Sequence, residues 1–184
     1  MRILVCAFSC YADHSVNPAE TILSKIDKNV DKLVLPSSWK RSKEVLEKEM
    51  EAIHPDAVLI LNMSPFRHSP TLEQFAYNAM YEDSFPDEDG ETRKGEEIYP
   101  GESRSLRVDL DVSEIANLLL QDGQYVSNSM DGGRFIDNEA YYCALRKVPA
   151  SLLVHIPLEK DFPLEESKSA VEALIDIASE MLGD

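Results

Sequence analysis

The sequence predicts an α/β fold with a layered central sheet, and two observations carry the prediction. Segments with strand-like apolar runs alternate with segments whose apolar residues recur at helical spacing. Residues 57–63, the strongest strand candidate, are apolar on both faces, as in a central parallel strand covered by helices on both sides. Because 184 residues with 43% hydrophobic content suffice to bury a core, we expect a single domain spanning residues 1–184.

Local signals justify each element in order. Residues 3–8 form the first apolar run, and Asn17 with Pro18 supplies a cap and a first-turn proline for a helix to about residue 28. Ser38 begins the second helix, which ends at residues 54–55. The remaining predicted elements are strands at 32–35, 57–63, 125–130 and 151–157, and helices at 112–120, 137–146 and 164–182.

The charge balance excludes several classes of function. Acidic residues outnumber basic ones 34 to 18, for a net charge of −16, which opposes binding to nucleic acid or to anionic membranes. No apolar run approaches the ~20 residues that span a bilayer, and the first run is too short for a secretory signal. The three dispersed cysteines indicate neither a disulfide framework nor a zinc site. We therefore expect a cytoplasmic protein.

One segment has no regular pattern. Residues 81–107 are crowded with Asp, Glu, Gly and Pro, which predicts a long acidic loop over the surface. The most acidic part of this segment, residues 82–102, is interpreted either as a solvated loop or as an interaction surface, and the first interpretation is favoured.

Polar clusters follow the predicted strands, where open α/β sheets place their ligands. These clusters are residues 9–17, residues 64–73, residues 131–138, and His155 within the last strand. Each one taken alone has a plain structural explanation. His155 is then a hydrogen-bonded core residue, Asp137 is a helix cap, and Glu73 is a solvated helix charge.

Together, the order and spacing of these clusters resemble pyroglutamyl peptidase type I (pyrrolidone carboxyl peptidase), a family of cysteine peptidases. The matching residues are Phe8, Tyr11 and Asn17-Pro18; residues 55–58 with Arg67, Glu73, Ala76 and Asn78; residues 129–138 with Tyr142; and residues 154–157 around His155. The resemblance implies a three-layer α/β/α fold with a mostly parallel, twisted central sheet. It also implies a homodimer or homotetramer.

The resemblance assigns expected roles to individual residues. Catalytic positions are Asp137, His155, Glu73 and the oxyanion-site Arg67; substrate-binding positions are Phe8, Tyr11, Asn17, Phe135 and Ile136. The expected ligand is a small molecule or a peptide N-terminus, with no cofactor and no metal. An equally weighted interpretation makes Phe8, Phe135 and Ile136 ordinary core residues.

The departures from the family pattern concern the chemistry directly. Asp137 stands where the family has its nucleophilic Cys, and glycine positions are occupied by Ala12-Asp13, Asn62 and Phe66. A carboxylate that attacks an amide is itself the better leaving group, with a pKa near ~4, so acylation reverses. Removal of N-terminal pyroglutamate is therefore expected to be weak or absent.

The remaining triad members are affected as well. In the family arrangement His155 lies between Asp137 and Glu73, and two carboxylates raise the pKa of an imidazole, which makes it a poor base near neutrality. Cys10 is the only candidate for a replacement thiol, because Cys6 and Cys143 are expected in the core.

Two hypotheses about function remain open at this point. The preferred one is a repurposed hydrolase-like enzyme that acts on a small lactam, amide or acid and uses Asp137 in place of the thiolate, as a base or as a nucleophile toward a saturated carbon. In a variant of it, an Asp-Glu-His cluster binds a metal, although such a cluster has too few histidines for the usual triad. The alternative is a catalytically silent homologue that binds a ligand or a protein. An engineered change at Asp137 is the least favoured explanation.

Overall fold

The architecture of the chain is a layered α/β sheet, seen in a computed structural model that describes residues 1–10, 16–81 and 86–183. In chain order the elements are β1 (Ile3–Phe8), α1 (Pro18–Lys25), β2 (Asp31–Leu35), α2 (Trp39–Ile53), β3 (Ala57–Met63), β4 (Thr71–Glu73), β5 (Phe75–Tyr77), β6 (Ser105–Arg107), α3 (Val112–Gln121), β7 (Ser127–Ser129), α4 (Ile136–Lys147), β8 (Ser151–Ile156) and α5 (Leu164–Gly183).

The main sheet has the strand order β2-β1-β3-β8-β4-β7, and β5 pairs with β6 in a small separate sheet. Strands β2, β1, β3 and β8 are mutually parallel. Strand β4 pairs antiparallel with β8, and β7 pairs parallel with β4. Helix α5 contacts both α1 and α3, and α2 contacts α4. The three-layer α/β/α fold with a mostly parallel sheet is therefore confirmed.

Two predicted helix starts are visible as hydrogen bonds. The Asn17 side chain accepts from the backbone N–H of Ala19 at 3.0 Å at the start of α1, and Pro18 takes the first helical position. At the start of α2, the Ser38 hydroxyl accepts from the backbone N–H of Arg41 at 3.1 Å. These bonds satisfy amide groups that a helix end leaves without partners.

Helix α4 is the most deeply buried helix of the fold. Tyr141 and Tyr142 are fully buried, and their hydroxyls donate to the backbone carbonyls of Glu73 at 2.8 Å and Ser103 at 2.6 Å. In the first turn, the Asn138 side chain accepts from the Tyr77 backbone N–H at 2.8 Å and donates to the Tyr77 carbonyl at 2.8 Å. The start of α4 is thus fixed to β5.

The sequence-based prediction missed β4, β5 and β6, the last of which lies at the end of the segment expected to be a loop. Each contains only three residues, too few for a hydrophobic period to be visible. As a consequence, the interpretation of Glu73 as a solvated helix charge is wrong, because Glu73 ends β4 and is 0% exposed. The predicted strand at residues 125–130 is shorter than expected and covers only Ser127–Ser129.

The described part of the acidic segment, residues 86–102, is a loop fastened to two helices. The Asp87 carboxylate is buried and accepts from the Trp39 backbone N–H at 2.8 Å at the start of α2. Arg41 of α2 forms ion pairs with Glu88 and with Asp89, and Arg146 of α4 pairs with Glu102. The use of this segment as an interaction surface stays a prediction.

Glu139 of α4 faces this loop as a buried acid. It is 5% exposed, and in the described part of the chain its Oε2 has no hydrogen-bond partner. Burial raises the pKa of Glu139 to about 7, against the lowering effect of Arg93 and Lys43 and together with the raising effect of Glu47 and Glu96. Its contribution to stability is therefore present below pH 4.5 and lost as the pH rises to about 7.

The substitution Glu139→Gln is accordingly expected to stabilise the fold at pH 8. Because it removes a buried charge, we expect the free energy of unfolding to rise by about 1 to 3 kcal/mol at pH 8 and to change little at pH 4.5. Urea unfolding at both pH values measures this, with Glu166→Gln as an exposed control. An unchanged or lower stability at pH 8 would contradict a titrating Glu139.

No helix within the described ranges is long and apolar enough to cross a membrane. The cytoplasmic location inferred from composition and cysteine usage stays a prediction.

Candidate active site

Strands β8 and β4 and helix α4 bring His155, Glu73 and Asp137 together near the carboxyl end of β8. His155 of β8 is the register partner of Asn62 on β3 and of Thr71 on β4, and Glu73 lies two residues beyond Thr71. Side chains two residues apart on a strand share a face, so Glu73 points toward His155. Asp137 enters from the first turn of α4.

His155 lies between two carboxylates. Its Nδ1 is 2.8 Å from Glu73 Oε1, and its Nε2 is 2.8 Å from Asp137 Oδ2. Burial favours the neutral imidazole, but the hydrogen bonds and charges of Asp137 and Glu73 outweigh it and raise the pKa of His155 to about 9. At neutral pH the ring is therefore an imidazolium that donates from both nitrogens.

The Asp137 carboxylate is held on both of its oxygens. Oδ2 accepts from Asn62 Nδ2 at 3.0 Å as well as from His155, and Oδ1 accepts from the Asn138 backbone N–H at 2.9 Å. Burial alone would raise the pKa of Asp137, but these hydrogen bonds and the His155 charge hold it below its ordinary value. Asp137 is not the helix cap, because α4 begins at Ile136 and Phe135 takes the cap position.

Arg67 completes the charge balance of the site. Its Nη2 donates to Glu73 Oε1 at 2.7 Å, to Ser129 Oγ at 3.0 Å and to the Asp131 carbonyl at 2.9 Å. Two carboxylates, Asp137 and Glu73, are thus matched by two cations, His155 and Arg67. The oxyanion role expected for Arg67 stays a prediction; in this structure its Nη2 contacts three acceptors of the protein itself.

Gly132 covers Glu73 from the other side. A Cβ at this position would lie 3.1 Å from Glu73 Cγ and 3.2 Å from Cδ, closer than ordinary packing allows. Glycine therefore lets the backbone close over the carboxylate. The remaining oxygen, Glu73 Oε2, is buried and has no hydrogen-bond partner within the described residues.

The predicted ligand-binding residues occupy different environments. Phe8 and Asn17 are each 1% exposed, and Asn17 Nδ2 donates to the Phe8 carbonyl at 2.9 Å. Ile136 is 7% exposed, whereas Phe135 is 43% exposed. The interpretation as ordinary core therefore fits Phe8 and Ile136 but is wrong for Phe135. Tyr11 lies outside the described residues.

Exposed aromatic rings occur close to the site. Phe135 packs edge-on against Tyr81, with ring centroids 5.2 Å apart. Phe66, which precedes Arg67 in the sequence, is 79% exposed, and Met130, which follows Ser129, is 65% exposed. Apolar side chains are thus exposed next to residues of the site along the chain.

Two of the three cysteines belong to the core, as predicted. Cys6 and Cys143 are 0% exposed, and burial raises the pKa of the Cys143 thiol to about 12. Cys10 is exposed, and its Sγ lies 4.0 Å from Glu20 Oε2.

The geometry does not suit a metal ion. The two ring nitrogens of His155 point in opposite directions, each toward a different carboxylate, so the three side chains do not converge on one point. Within the ranges that the structure describes, no group of three or more His, Cys, Asp or Glu is arranged to hold a metal.

Sequence reasoning gave no role to two residues of this site, Asn62 and Ser129. Asn62 contacts Asp137, and Ser129 contacts Arg67. A signal for Asn62 was present, since it is the single polar residue in the apolar run 57–63. Ser129 carries no comparable signal, because it lies among other small polar residues.

A layered α/β sheet that presents an acid, a histidine and a second acid in a chain of hydrogen bonds has the architecture of a triad-type hydrolase. The family model described as pyroglutamyl peptidase matches residues 1–157. The chain belongs to the pyroglutamyl peptidase family.

Individual relatives agree with this assignment. The pyrrolidone-carboxylate peptidase of Pyrococcus furiosus is 31% identical over 153 residues, which cover 79% of this chain and 72% of the relative. Pyrrolidone-carboxylate peptidase 1 of Saccharolobus solfataricus is 23% identical over 186 residues, covering 96% and 88%. The structure of a mutant pyrrolidone carboxyl peptidase from P. furiosus superposes with a TM-score of 0.91 at 26% identity, covering 99% of this chain and 100% of that one.

Proposed function

We propose that this protein keeps the framework of a pyroglutamyl peptidase site but not its thiol chemistry, and that it acts as a binding protein for a small molecule or a peptide N-terminus. Removal of N-terminal pyroglutamate is weak or absent. The observation that carries the proposal is the Asp137–His155–Glu73 array, in which His155 is bonded at 2.8 Å to a carboxylate on each side.

The protonation state of His155 argues against acyl transfer. Nucleophilic catalysis needs a base that can accept a proton from the attacking group. With a pKa of about 9, His155 already carries that proton near neutrality, and both of its N–H groups are engaged. If Asp137 at the nucleophile position attacks an amide, the adduct expels the carboxylate and the amide forms again, because carboxylate leaves more readily than amine.

The same contacts favour binding over turnover. Asp137 is 3% exposed and its Oδ2 already accepts from both Asn62 and His155, so attack by Oδ2 on a ligand requires one of these contacts to break. Phe66 and Phe135, which lie within two residues of Arg67 and Asp137 in the sequence, are exposed and available to a ligand that buries an apolar portion. A homodimer or homotetramer remains part of the proposal on the strength of the family resemblance.

One observation favours a second candidate, the repurposed hydrolase-like enzyme. A protonated His155 next to an ionised Asp137 can support displacement at a saturated carbon. Asp137 would form an ester while the leaving group takes a proton from His155. The neutral imidazole would then draw a proton from water, and the resulting hydroxide would add to the carbonyl carbon of the ester. The alkoxide would leave with the proton of the added hydroxyl group as the alcohol, which restores the Asp137 carboxylate and the protonated His155. Such a cycle needs no thiol.

Hydrolysis of a fluorogenic pyroglutamyl amide tests the proposal. The unmodified chain is expected to match Asp137→Ala at the background rate, and Asp137→Cys is assayed in parallel. Turnover by the unmodified chain that is lost in Asp137→Ala would overturn the proposal.

Binding is measured separately, by calorimetry with 2-pyrrolidone and with a pyroglutamyl dipeptide. Saturable binding that is lost in Arg67→Ala supports a ligand site with silent chemistry. Absence of binding by the unmodified chain, together with turnover of a haloalkane or small ester that disappears in Asp137→Ala, would replace the binding function by the repurposed enzyme.

A further inference from the structure

Asn62 connects the start of one helix to the start of another. Its Oδ1 accepts from Asn17 Nδ2 at 3.1 Å, and its Nδ2 donates to Asp137 Oδ2 at 3.0 Å. Asn17 begins α1, and Asp137 lies in the first turn of α4. Asn62 itself lies on β3, where it is the register partner of His155 on β8.

The orientation of the Asn62 amide follows from its neighbours. Two N–H groups point at one end of it, those of Asn17 Nδ2 and of the Met63 backbone at 3.0 Å. That end must be the carbonyl oxygen, because a donor cannot pair with a donor. The NH₂ group is therefore directed at Asp137, where a carboxylate is the partner it needs.

Asn17 is held just as firmly. Its Oδ1 caps α1 through the Ala19 N–H at 3.0 Å, and its Nδ2 also donates to the Phe8 carbonyl at 2.9 Å. A 1% exposed side chain with these bonds has no freedom to follow Asn62 if Asn62 moves. The series Asn17–Asn62–Asp137 thus runs from a fixed point to the carboxylate.

We infer that Asn62 is the positioning residue of this site: anchored by Asn17, its amide fixes the Asp137 carboxylate against His155 and keeps the pair ionised. This inference rests on the proposed function, because it explains how the site is held in its ion-paired form. It makes the ion-paired form of the site depend on two residues, Asn62 and Asp137, rather than on Asp137 alone.

The NMR titration of His155 in ¹⁵N-histidine-labelled protein tests the inference. In Asn62→Ala the Asp137 carboxylate loses one of the three donors that orient it, which weakens its contact with His155, so the pKa of His155 is expected to fall by about one unit or more. Asn128→Ala, an exposed asparagine on β7, is the matched control and is expected to leave the titration unchanged. Asn62→Ser, which keeps a hydroxyl donor, is expected to fall between the two.

An identical His155 titration in Asn62→Ala and Asn128→Ala, with folding verified by the same spectra, would overturn the inference. If Asn62→Ala does not fold, the comparison of Asn62→Ser with Asn128→Ala decides by the same criterion. The readout does not depend on turnover or on ligand binding. Its failure is therefore distinguishable from failure of the proposed function, which the amide assay and calorimetry measure.

Discussion

Replacing His155 by leucine is expected to lower the free energy of unfolding by about 3 to 5 kcal/mol at pH 7. The substitution leaves Asp137 and Glu73 buried at 3% and 0% exposure without the cation that lies between them. Arg67 still pairs with Glu73, but the Coulomb attraction that offsets the desolvation of Asp137 is lost, so Asp137 must take up a proton for the fold to survive. Urea unfolding followed by circular dichroism measures the change.

His68→Leu provides the control, because His68 is an exposed histidine in the loop after β3. This variant is expected to change stability by less than about 0.5 kcal/mol. A loss below about 1 kcal/mol for His155→Leu would mean that the triad is not ionised in the folded protein. In that case one of the carboxyl groups beside His155 would already carry a proton.

Stability is also expected to fall steeply as the medium becomes alkaline. The folded pKa of His155 is raised from 6.5 to about 9, so its contribution is fully present below pH 6.5 and is lost as the pH rises through about 9. The size of this contribution is on the order of 3 kcal/mol. Unfolding free energies at intervals from pH 6 to pH 10 trace this loss.

This measurement is made on a protein that carries Glu139→Gln. The titration of Glu139 lowers the stability up to about pH 7, and this loss would overlap the beginning of the loss caused by His155. His155→Leu in that background is expected to flatten the alkaline limb. A free energy of unfolding that stays constant between pH 6.5 and 9 while His155 is present would contradict an imidazolium held between two carboxylates.

Long, strongly patterned elements were predictable from the sequence because their burial is repetitive. The run 57–63 indicated a central strand, and β3 covers the same residues with its aliphatic side chains buried. Helix starts at Asn17-Pro18 and Ser38 were visible because capping depends on one side chain and its immediate neighbours. Such signals are local, so they are present in the sequence itself.

Features that depend on tertiary contacts were not predictable in this way. Strand β4 exists because Thr71, Leu72 and Glu73 pair with β8 on one side and β7 on the other, and nothing within three residues indicates either partner. The resemblance suggested which residues meet at His155. The connection from Asn17 through Asn62 to Asp137, by contrast, requires the register of β3 against β8.

The first turn of α4 has a mechanical consequence. Three consecutive side chains point to three different parts of the molecule. Asp137 points to His155 on β8, Asn138 to the β5 backbone, and Glu139 to the loop at residues 86–102. Rotation of this helix about its axis would disrupt all three attachments at once, and sliding by one residue would exchange their destinations. The first turn of α4 is therefore held in one position, and any rearrangement of the site has to leave this turn in place.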